Sequence, residues 1–317
     1  MRLHLPHVLV GTIVAALALA GCTSGGAPTA SGPDTPTTTP TTMSVPTASA
    51  TPVDQDRVDR ALAALEQRYD ATVGVVATDT GTGATVSYRA DRRFGYASTI
   101  KVLAAAAFLR AVPAAERSAV AHWTQADVAA AGYSPVTEQH VADGLPLDEV
   151  AEAAVRMSDN TALNVLLDRI GGPAALDAAL ADLGDTTTEV VHDEPELNTI
   201  EPGSTEDTTT PAAFAAVLDR VLDGRTLGRA DTALLTDWMS GNATGDALVR
   251  AGAPDGWVVA DKSGGAGPIR NDVARVTRPD GDPIVIAVLT TRNDPDEPYD
   301  EALVAESARV ALAALDR

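Results

Sequence analysis

The 317-residue chain carries a formal net charge of −21, and 45% of its residues are apolar. That apolar content is enough for a substantial core in one large domain or in two lobes. The negative charge argues against nucleic-acid binding, because phosphates would be repelled rather than neutralised. In so acidic a chain, an isolated carboxylate is by default a solvated surface charge.

The amino-terminal segment has the pattern of an export signal. Arg2 is followed by the apolar run Val8 to Ala20, which is too short for a comfortable membrane span. The run ends in Leu19-Ala20-Gly21-Cys22, and Cys22 is the only cysteine, so no internal disulfide can form. This junction resembles the lipobox of bacterial lipoproteins, which implies a signal peptide over residues 1–21 and lipidation of Cys22. The alternative is a stray thiol in a discarded peptide.

A segment with almost nothing to bury follows. From Thr23 to Pro52 nearly every residue is Thr, Pro, Ser, Ala or Gly, and Asp34 carries the single charge. Such a composition favours an extended or disordered chain that spans roughly 30 Å as a flexible coil. The sequence therefore predicts a tether over residues 22–52 and one folded domain over residues 53–317.

The domain is predicted to begin with a helix over Asp54–Tyr69, followed by two β-like runs, Ala71–Thr78 and Ala84–Arg89, joined by a hairpin turn. Helical patterns then dominate the middle of the chain, at Thr99–Val112, Leu147–Met157, Thr161–Ile170, Pro173–Leu183, Pro211–Leu222 and Asp231–Met239. Strands return at Trp257–Lys262, Asn271–Val276 and Pro283–Thr290, before a last amphipathic helix, Tyr299–Leu315. Strands at both ends predict that the two ends join in one antiparallel sheet.

The expected fold class is α+β with two lobes. One lobe holds the antiparallel sheet flanked by the N- and C-terminal helices, and the other is all-helical. The functional site is expected in the groove between the lobes, the usual place for a small-molecule site.

Lysine is rare in this chain: of 23 basic residues, only Lys101 and Lys262 are lysines. Arginine stays charged under ordinary conditions, whereas the pKa of a lysine amine can be shifted into proton-transfer range. Both lysines are therefore candidate functional groups, against the alternative that they are remnants of compositional drift.

Each lysine lies in a short polar motif. Lys101 ends Ser98-Thr99-Ile100-Lys101 at a predicted helix start, where residues three apart share a face, so its amine can reach the Ser98 hydroxyl and activate it. Lys262 lies in Asp261-Lys262-Ser263-Gly264-Gly265, where glycines let a ligand approach the backbone and the polar side chains can hold an anion. A third motif, Ser158-Asp159-Asn160, joins two predicted helices. Taken singly, each motif is explained as well by a helix cap or a turn.

Together and in this order, the motifs match the Ser-x-x-Lys, Ser-Asp-Asn and Lys-[Ser/Thr]-Gly set of penicillin-interacting serine enzymes. The sequence from Asp54 to Arg317 resembles the class A β-lactamases. The resemblance extends to Tyr133-Ser134-Pro135-Val136-Thr137-Glu138, Asp207-Thr208-Thr209-Thr210-Pro211 and Ser240-Gly241-Asn242-Ala243-Thr244-Gly245-Asp246.

The resemblance implies roles in acylation. Ser98 would attack the lactam carbonyl, and the backbone N–H groups of Ser98 and Gly265 would hold the oxyanion. The Ser98 proton would pass to Lys101, or to Glu194 through water, and both routes stay open. Ser158, assisted by Lys262, would relay a proton to the departing lactam nitrogen.

The resemblance also implies substrate contacts. Asn160 would bind the substrate side-chain amide, and Tyr133 would flank the cleft. The substrate carboxylate would be received by Ser263, Lys262 and Arg270. The segment from Lys262 to Arg270 is shorter than the family pattern, so the position of Arg270 depends on the geometry of a turn stiffened by Pro268.

The stretch Glu194-Pro195-Glu196-Leu197-Asn198 resembles the Ω-loop of class A enzymes. It implies that Glu194 and Asn198 position the water that releases the acyl group, with Glu194 as its base, and that the bond before Pro195 is cis. A penicillin-binding enzyme without such a base would acylate and stall.

His192 stands where the family usually has an arginine, paired with the aspartate that Asp207 matches. A histidine holds that ion pair only while protonated, and an unperturbed imidazole has a pKa of about 6.5. We therefore expect a looser Ω-loop whose order weakens as the pH rises. The alternative is that other contacts hold the loop and His192 is simply exposed.

The preferred function is a serine β-lactamase that acts on a small-molecule β-lactam. The alternatives are a related cell-wall serine hydrolase or penicillin-binding enzyme, and a non-enzymatic penicillin- or peptidoglycan-binding lipoprotein. No metal or other cofactor is expected, because His122, His140 and His192 lack metal-ligand spacing. We expect an exported monomer that contacts the outer face of the cell membrane, or the periplasmic side, through its lipid anchor alone.

Overall fold

The computed structural model describes residues 53–316. The predicted signal peptide, Cys22 and the tether lie outside these residues, so the division at residues 21 and 52 stays a prediction. Within residues 53–316, no helix is both long enough and apolar enough to cross a membrane.

The described chain forms ten α-helices and nine strands. The helices are α1 Gln55–Tyr69, α2 Ile100–Ala111, α3 Gln125–Ala131, α4 Leu147–Arg156, α5 Asn160–Ile170, α6 Pro173–Asp182, α7 Pro211–Leu222, α8 Gly228–Ser240, α9 Val249–Gly252 and α10 Glu301–Leu315. The strands are β1 Ala71–Asp79, β2 Thr85–Tyr88, β3 Phe94–Gly95, β4 Val120–Ala121, β5 Leu145–Pro146, β6 Thr208–Thr209, β7 Val258–Ala266, β8 Ile269–Thr277 and β9 Ile284–Arg292.

The main sheet is antiparallel and has the strand order β2-β1-β9-β8-β7. The first long strand, β1, pairs along its whole length with the last, β9. This pairing confirms that the two ends of the domain meet in one sheet. The short strands form two separate pairs, β3 with β6 and β4 with β5.

The sheet separates two hydrophobic cores, because successive strand residues point to opposite faces. Val75 and Val288 lie in the core shared with α1 and α10, whereas Val76 and Leu289 lie in the core shared with the helical lobe. Helix α2 lies at the centre of that lobe, and every residue from Ile100 to Leu109 is buried. The predicted α+β architecture is confirmed.

Strand β7 is longer than the sequence predicts. The sequence predicts a strand that ends at Lys262, but β7 continues through Gly264 and Gly265 to Ala266, although glycines weaken strands. The reason is a close approach: a Cβ on Gly264 would lie 2.9 Å from both Thr99 N and Tyr96 O. The glycine lets β7 lie against the 3₁₀ turn Ala97–Thr99, which holds Ser98.

The elements that the sequence did not predict are short. Helix α3 has seven residues and depends on a capping box between Thr124 and Asp127, while α9 has only four residues. The unpredicted strands β3 to β6 have two residues each. Runs this short carry too few residues for a periodic pattern.

Candidate active site

A groove of about 300 Å³ lies between the β7 edge of the sheet and the helical lobe. It is lined by Ser98, Tyr133, Ser158, Asn160, Glu194, Asn198, Thr244, Ser263, Gly264, Gly265, Arg270 and Tyr299. The groove thus brings together side chains from all three sequence motifs and from the predicted Ω-loop. Lys101 and Lys262 lie fully buried beneath it.

Ser98 lies between two groups able to exchange protons with it. The Lys101 Nζ atom is 2.8 Å from Ser98 Oγ, and Glu194 Oε1 is 3.3 Å from the same oxygen. Lys101 Nζ and Glu194 Oε1 are themselves 3.0 Å apart. The 3₁₀ turn leading into α2 fixes this geometry, because it places Ser98 three residues before Lys101 on one face.

Lys101 also donates to two further oxygens, the Ser158 carbonyl at 2.7 Å and Asn160 Oδ1 at 2.6 Å. Those two bonds need only two N–H groups, so a neutral amine can make both and still point a lone pair at Ser98. Burial lowers the pKa of Lys101, although the nearby Glu194 carboxylate opposes this effect.

Lys262 reaches the groove through Ser158. Its Nζ donates to Ser158 Oγ at 3.0 Å and to the Ser263 carbonyl at 2.6 Å. Burial, and next the positive charge of Lys101, lower the pKa of Lys262 well below its usual value. Beneath the groove, Lys101 therefore contacts the Ser98 hydroxyl, and Lys262 contacts the Ser158 hydroxyl.

The three residues of the Ser-Asp-Asn motif have separate tasks. Asp159 is buried and structural: its side chain caps α5 at Ala162 N and also accepts from the backbone N–H groups of Val136 and Thr137. Asn160 lines the groove while its Nδ2 donates to the Ala131 carbonyl. This leaves one amide N–H of Asn160 for another partner.

The Ω-loop places Glu194 at the groove, and the Glu194–Pro195 peptide bond is cis, as the sequence predicts. Asn198 Nδ2 donates to Glu194 Oε2 at 2.6 Å. Asn198 Oδ1 is buried and accepts no hydrogen bond from any residue in the 53–316 range. A polar acceptor therefore stands next to the Glu194 carboxylate.

Sequence reasoning missed Asn164, which ties the Ω-loop to α5. Its side-chain amide forms two bonds with the Glu194 backbone, accepting from N at 2.9 Å and donating to O at 2.8 Å. One asparagine inside a helical pattern gives no signal of such a role. Thr244 and Tyr299 also line the groove and were not identified as site residues.

His192 and Asp207 form the predicted pair, with 2.5 Å between Nδ1 and Oδ2. The hydrogen bond to Asp207 raises the pKa of His192, whose side chain is 44% exposed. Asp207 also accepts from the Tyr96 hydroxyl at 2.7 Å and from the backbone N–H groups of Val191 and His192. Burial alone would raise the pKa of Asp207, but these hydrogen bonds lower it.

Arg270 reaches the groove because the turn between β7 and β8 is only two residues long. That turn pairs Gly265 with Arg270 across the strands. The Arg270 guanidinium donates to Glu301 Oε1 at 2.7 Å, and its central carbon lies 4.9 Å from the ring centre of Tyr299. The guanidinium is thus held at the groove between an acid and an aromatic ring.

Comparison with known proteins gives one family. The model of the beta-lactamase enzyme family matches residues 57–315. A beta-lactamase of Bacillus amyloliquefaciens is 49% identical over 249 residues, which cover 78% of this chain and 81% of the relative. A beta-lactamase of Amycolatopsis lactamdurans is 46% identical over 271 residues, covering 85% and 89%.

Solved structures agree with the sequence relatives. The class A beta-lactamase from Clostridium kluyveri DSM 555 has a TM-score of 0.80 and 41% identity, covering 83% of this chain and all of that one. The beta-lactamase from Streptomyces albus G has a TM-score of 0.78 and 40% identity, covering 81% and 98%. This chain therefore belongs to the β-lactamase enzyme family, as a class A serine enzyme that hydrolyses β-lactams.

Proposed function

We propose that the chain hydrolyses penicillins and cephalosporins through an acyl-enzyme on Ser98, which is released by a water that Glu194 activates. The observation that carries this proposal is the cluster at Ser98 Oγ, with Lys101 Nζ at 2.8 Å and Glu194 Oε1 at 3.3 Å. A serine hydroxyl needs such a neighbouring base to act as a nucleophile near neutral pH.

In the acylation step, Ser98 Oγ bonds to the lactam carbonyl carbon while its proton passes to a base. A neutral Lys101 can take the proton directly, and Glu194 can take it through water. The lactam C–N bond then breaks, and Ser158 gives its proton to the nitrogen and regains the proton that the base took from Ser98, while Lys262 supports the Ser158 hydroxyl from 3.0 Å. The backbone N–H groups of Ser98 and Gly265 stabilise the oxyanion.

In the deacylation step, Glu194 takes a proton from water, and the resulting hydroxide bonds to the ester carbonyl carbon. The ester C–O bond then breaks, and the proton held by Glu194 passes to Ser98 Oγ, which lies 3.3 Å from Glu194 Oε1. Asn198 supports this role because it fixes Glu194 Oε2 through a 2.6 Å bond and presents its own Oδ1 beside it. Glu196 and Asp193 take no part in the proposal.

Substrate contacts complete the proposal. Asn160 binds the substrate side-chain amide, and Tyr133, which is 57% exposed, flanks the groove. Ser263 and Arg270 receive the substrate carboxylate, and the buried Lys262 amine contacts the Ser263 carbonyl at 2.6 Å.

One assay separates this proposal from its alternatives. With nitrocefin we expect sustained turnover by the wild type and none by Ser98→Ala. Glu194→Gln should still acylate but should release product about 10²–10⁴-fold more slowly, the usual worth of a general base, so that mass spectrometry detects a covalent adduct. A single burst in the wild type would instead support a penicillin-binding enzyme, and no adduct at all a non-enzymatic binding protein.

We also propose that the enzyme is an exported, monomeric lipoprotein with residues 1–21 as its signal peptide. The sequence around Cys22 supports lipidation, and the following 30 residues support a tether to the outer face of the cell membrane or the periplasmic side. After detergent phase separation of whole cells, the wild type should enter the detergent phase and Cys22→Ala the aqueous phase. Identical partitioning would exclude the anchor, and light scattering of the purified enzyme tests the monomer.

A further inference from the structure

The two groups proposed to receive the substrate carboxylate already have a common protein partner, Thr244. Ser263 Oγ lies 2.6 Å from Thr244 Oγ1. Arg270 Nη2 donates to the Thr244 carbonyl at 3.2 Å as well as to Glu301. Thr244 itself lines the groove beside both of them. The proposed anion-binding end is thus internally hydrogen-bonded when no substrate is bound.

The direction of these hydrogen bonds follows from Asn242. The backbone N–H of Thr244 can only donate, and it lies 3.1 Å from an atom of the Asn242 amide, which must therefore be the oxygen Oδ1. The other end of the amide, Nδ2, donates to the buried carboxylate of Asp261. Two independent contacts therefore fix the orientation of this amide.

The Thr244 hydroxyl lies 2.8 Å from the same Oδ1 of Asn242. An amide oxygen only accepts, so the single hydroxyl proton of Thr244 points at Asn242. The contact between Thr244 and Ser263 must then be made with the Ser263 proton. Ser263 consequently points its proton at Thr244 and presents lone pairs to the groove.

We infer that Thr244 is a positioning residue that sets the affinity of the groove for the anionic group of the substrate, because it competes for the hydroxyl proton of Ser263. The inference rests on the proposed function, in which Ser263 donates to the substrate carboxylate. To do so, Ser263 must turn its proton away from Thr244. Either two oxygens 2.6 Å apart then face each other with lone pairs, or the Thr244 proton turns to Ser263 and leaves Asn242 Oδ1. In both cases one hydrogen bond of the free enzyme is lost.

Thr244→Val removes the competition for the Ser263 proton and leaves Arg270, the other donor to the substrate carboxylate, unchanged. Valine has nearly the shape of threonine but no hydroxyl, and its carbonyl still accepts from Arg270. Thr244→Ser is the matched control, because it keeps the hydroxyl and its bonds to Asn242 and Ser263. Since Asn242 Oδ1 keeps the backbone N–H of residue 244, its orientation should survive both substitutions.

The test uses two substrates that differ only at the carboxylate, benzylpenicillin and its methyl ester. The ratio of kcat/KM for the acid to kcat/KM for the ester measures the contribution of the carboxylate. We expect Thr244→Val to raise this ratio about fivefold, the worth of one neutral hydrogen bond. Thr244→Ser should keep the wild-type ratio, and thermal melts should show that both variants are folded.

An unchanged or lower ratio in Thr244→Val, with Ser98 still acylated, would overturn the inference and leave the proposed function intact. A raised ratio in Thr244→Ser would also overturn the inference, because a general packing defect at residue 244 would then explain the raised ratio in Thr244→Val. Failure of the wild type to hydrolyse benzylpenicillin, together with no adduct on Ser98 of Glu194→Gln, would overturn both, since the proposed function itself would be wrong.

Discussion

His192 and Asp207 are joined by bonds that respond differently to pH. The bond between their side chains is strongest when the imidazole is protonated. The bonds to Asp207 from the Tyr96 hydroxyl and from two backbone N–H groups do not titrate near neutral pH. Burial, and next the Asp207 charge, raise the pKa of Tyr96 well above its usual value, so that its hydroxyl keeps its proton. The Ω-loop is therefore held at Asp207 by contacts that the sequence did not reveal.

We predict a limited pH effect at this pair. Because the folded-state pKa of His192 is raised, its stabilising contribution is full below the unfolded value of about 6.5 and is lost as the pH rises through the folded value. Above that value, the deacylation rate of the wild type should fall relative to His192→Arg by no more than about fivefold, the worth of one hydrogen bond. Stopped-flow deacylation rates of both enzymes from pH 5 to 9 test this, and identical profiles would contradict it.

Residues that carry reactive chemistry were predictable, whereas two residues that only orient them, Asn164 and Thr244, were not. Ser98, Lys101 and Glu194 were named from motifs, and the structure places them within 3.3 Å of one another. Asn164 and Thr244 are ordinary polar residues in sequence, and only the fold reveals which backbone or hydroxyl group each one contacts. The role of each motif residue in turnover stays a prediction.

At the scale of elements, the active site depends on contact between β7 and the 3₁₀ turn of Ser98. The sequence predicts parts of both elements but not their contact. In the sequence, Gly264 indicates that a ligand approaches the backbone, whereas in the structure the backbone of Tyr96 and Thr99 lies against this glycine. Gly265, one residue on, faces different surroundings. A Cβ there would lie 3.0 Å from Nη1 of the Arg270 side chain, which is flexible.

The two glycines give a matched pair of substitutions. Gly264→Ala should destabilise the protein by about 1–3 kcal/mol, as overpacking does, and should greatly lower acylation, because β7 must move away from Thr99 N and Tyr96 O. Gly265→Ala should fold like the wild type and lose much less activity than Gly264→Ala, since a shift of the Arg270 end weakens carboxylate binding but leaves the turn of Ser98 in place. Chemical denaturation and nitrocefin kcat/KM measure both effects. Equal stability and equal kcat/KM in the two variants would show that the contact between β7 and the turn of Ser98 limits neither folding nor acylation.

At the scale of the whole molecule, net charge opposes folding. Arg2 and Asp34 are the only charged residues before Val53 and cancel each other, so the full charge of −21 lies in the domain. Like charges at that density repel one another and destabilise the compact state. The fold itself was predictable at this scale, because strand patterns at both ends can pair only if the ends meet.

We predict that the domain becomes more stable as salt is added. The Debye length falls from about 10 Å at 0.1 M to about 3 Å at 1 M ionic strength, which screens surface repulsion. Salt weakens the attraction within buried pairs such as Lys101 and Glu194 only slightly, because both side chains are almost fully enclosed. The melting temperature in sodium chloride should rise by several degrees over this range, and a fall would show that exposed ion pairs outweigh the repulsion.

The two lysines have a practical consequence outside catalysis. Both are fully enclosed, and the sequence contains no others. Amine-reactive dyes, biotin esters and bifunctional crosslinkers therefore find no accessible side chain on the native domain, and immobilisation through lysine fails unless the protein opens. The same reagents become probes of that opening, since modification of Lys101 or Lys262 records each excursion that exposes the centre of the molecule.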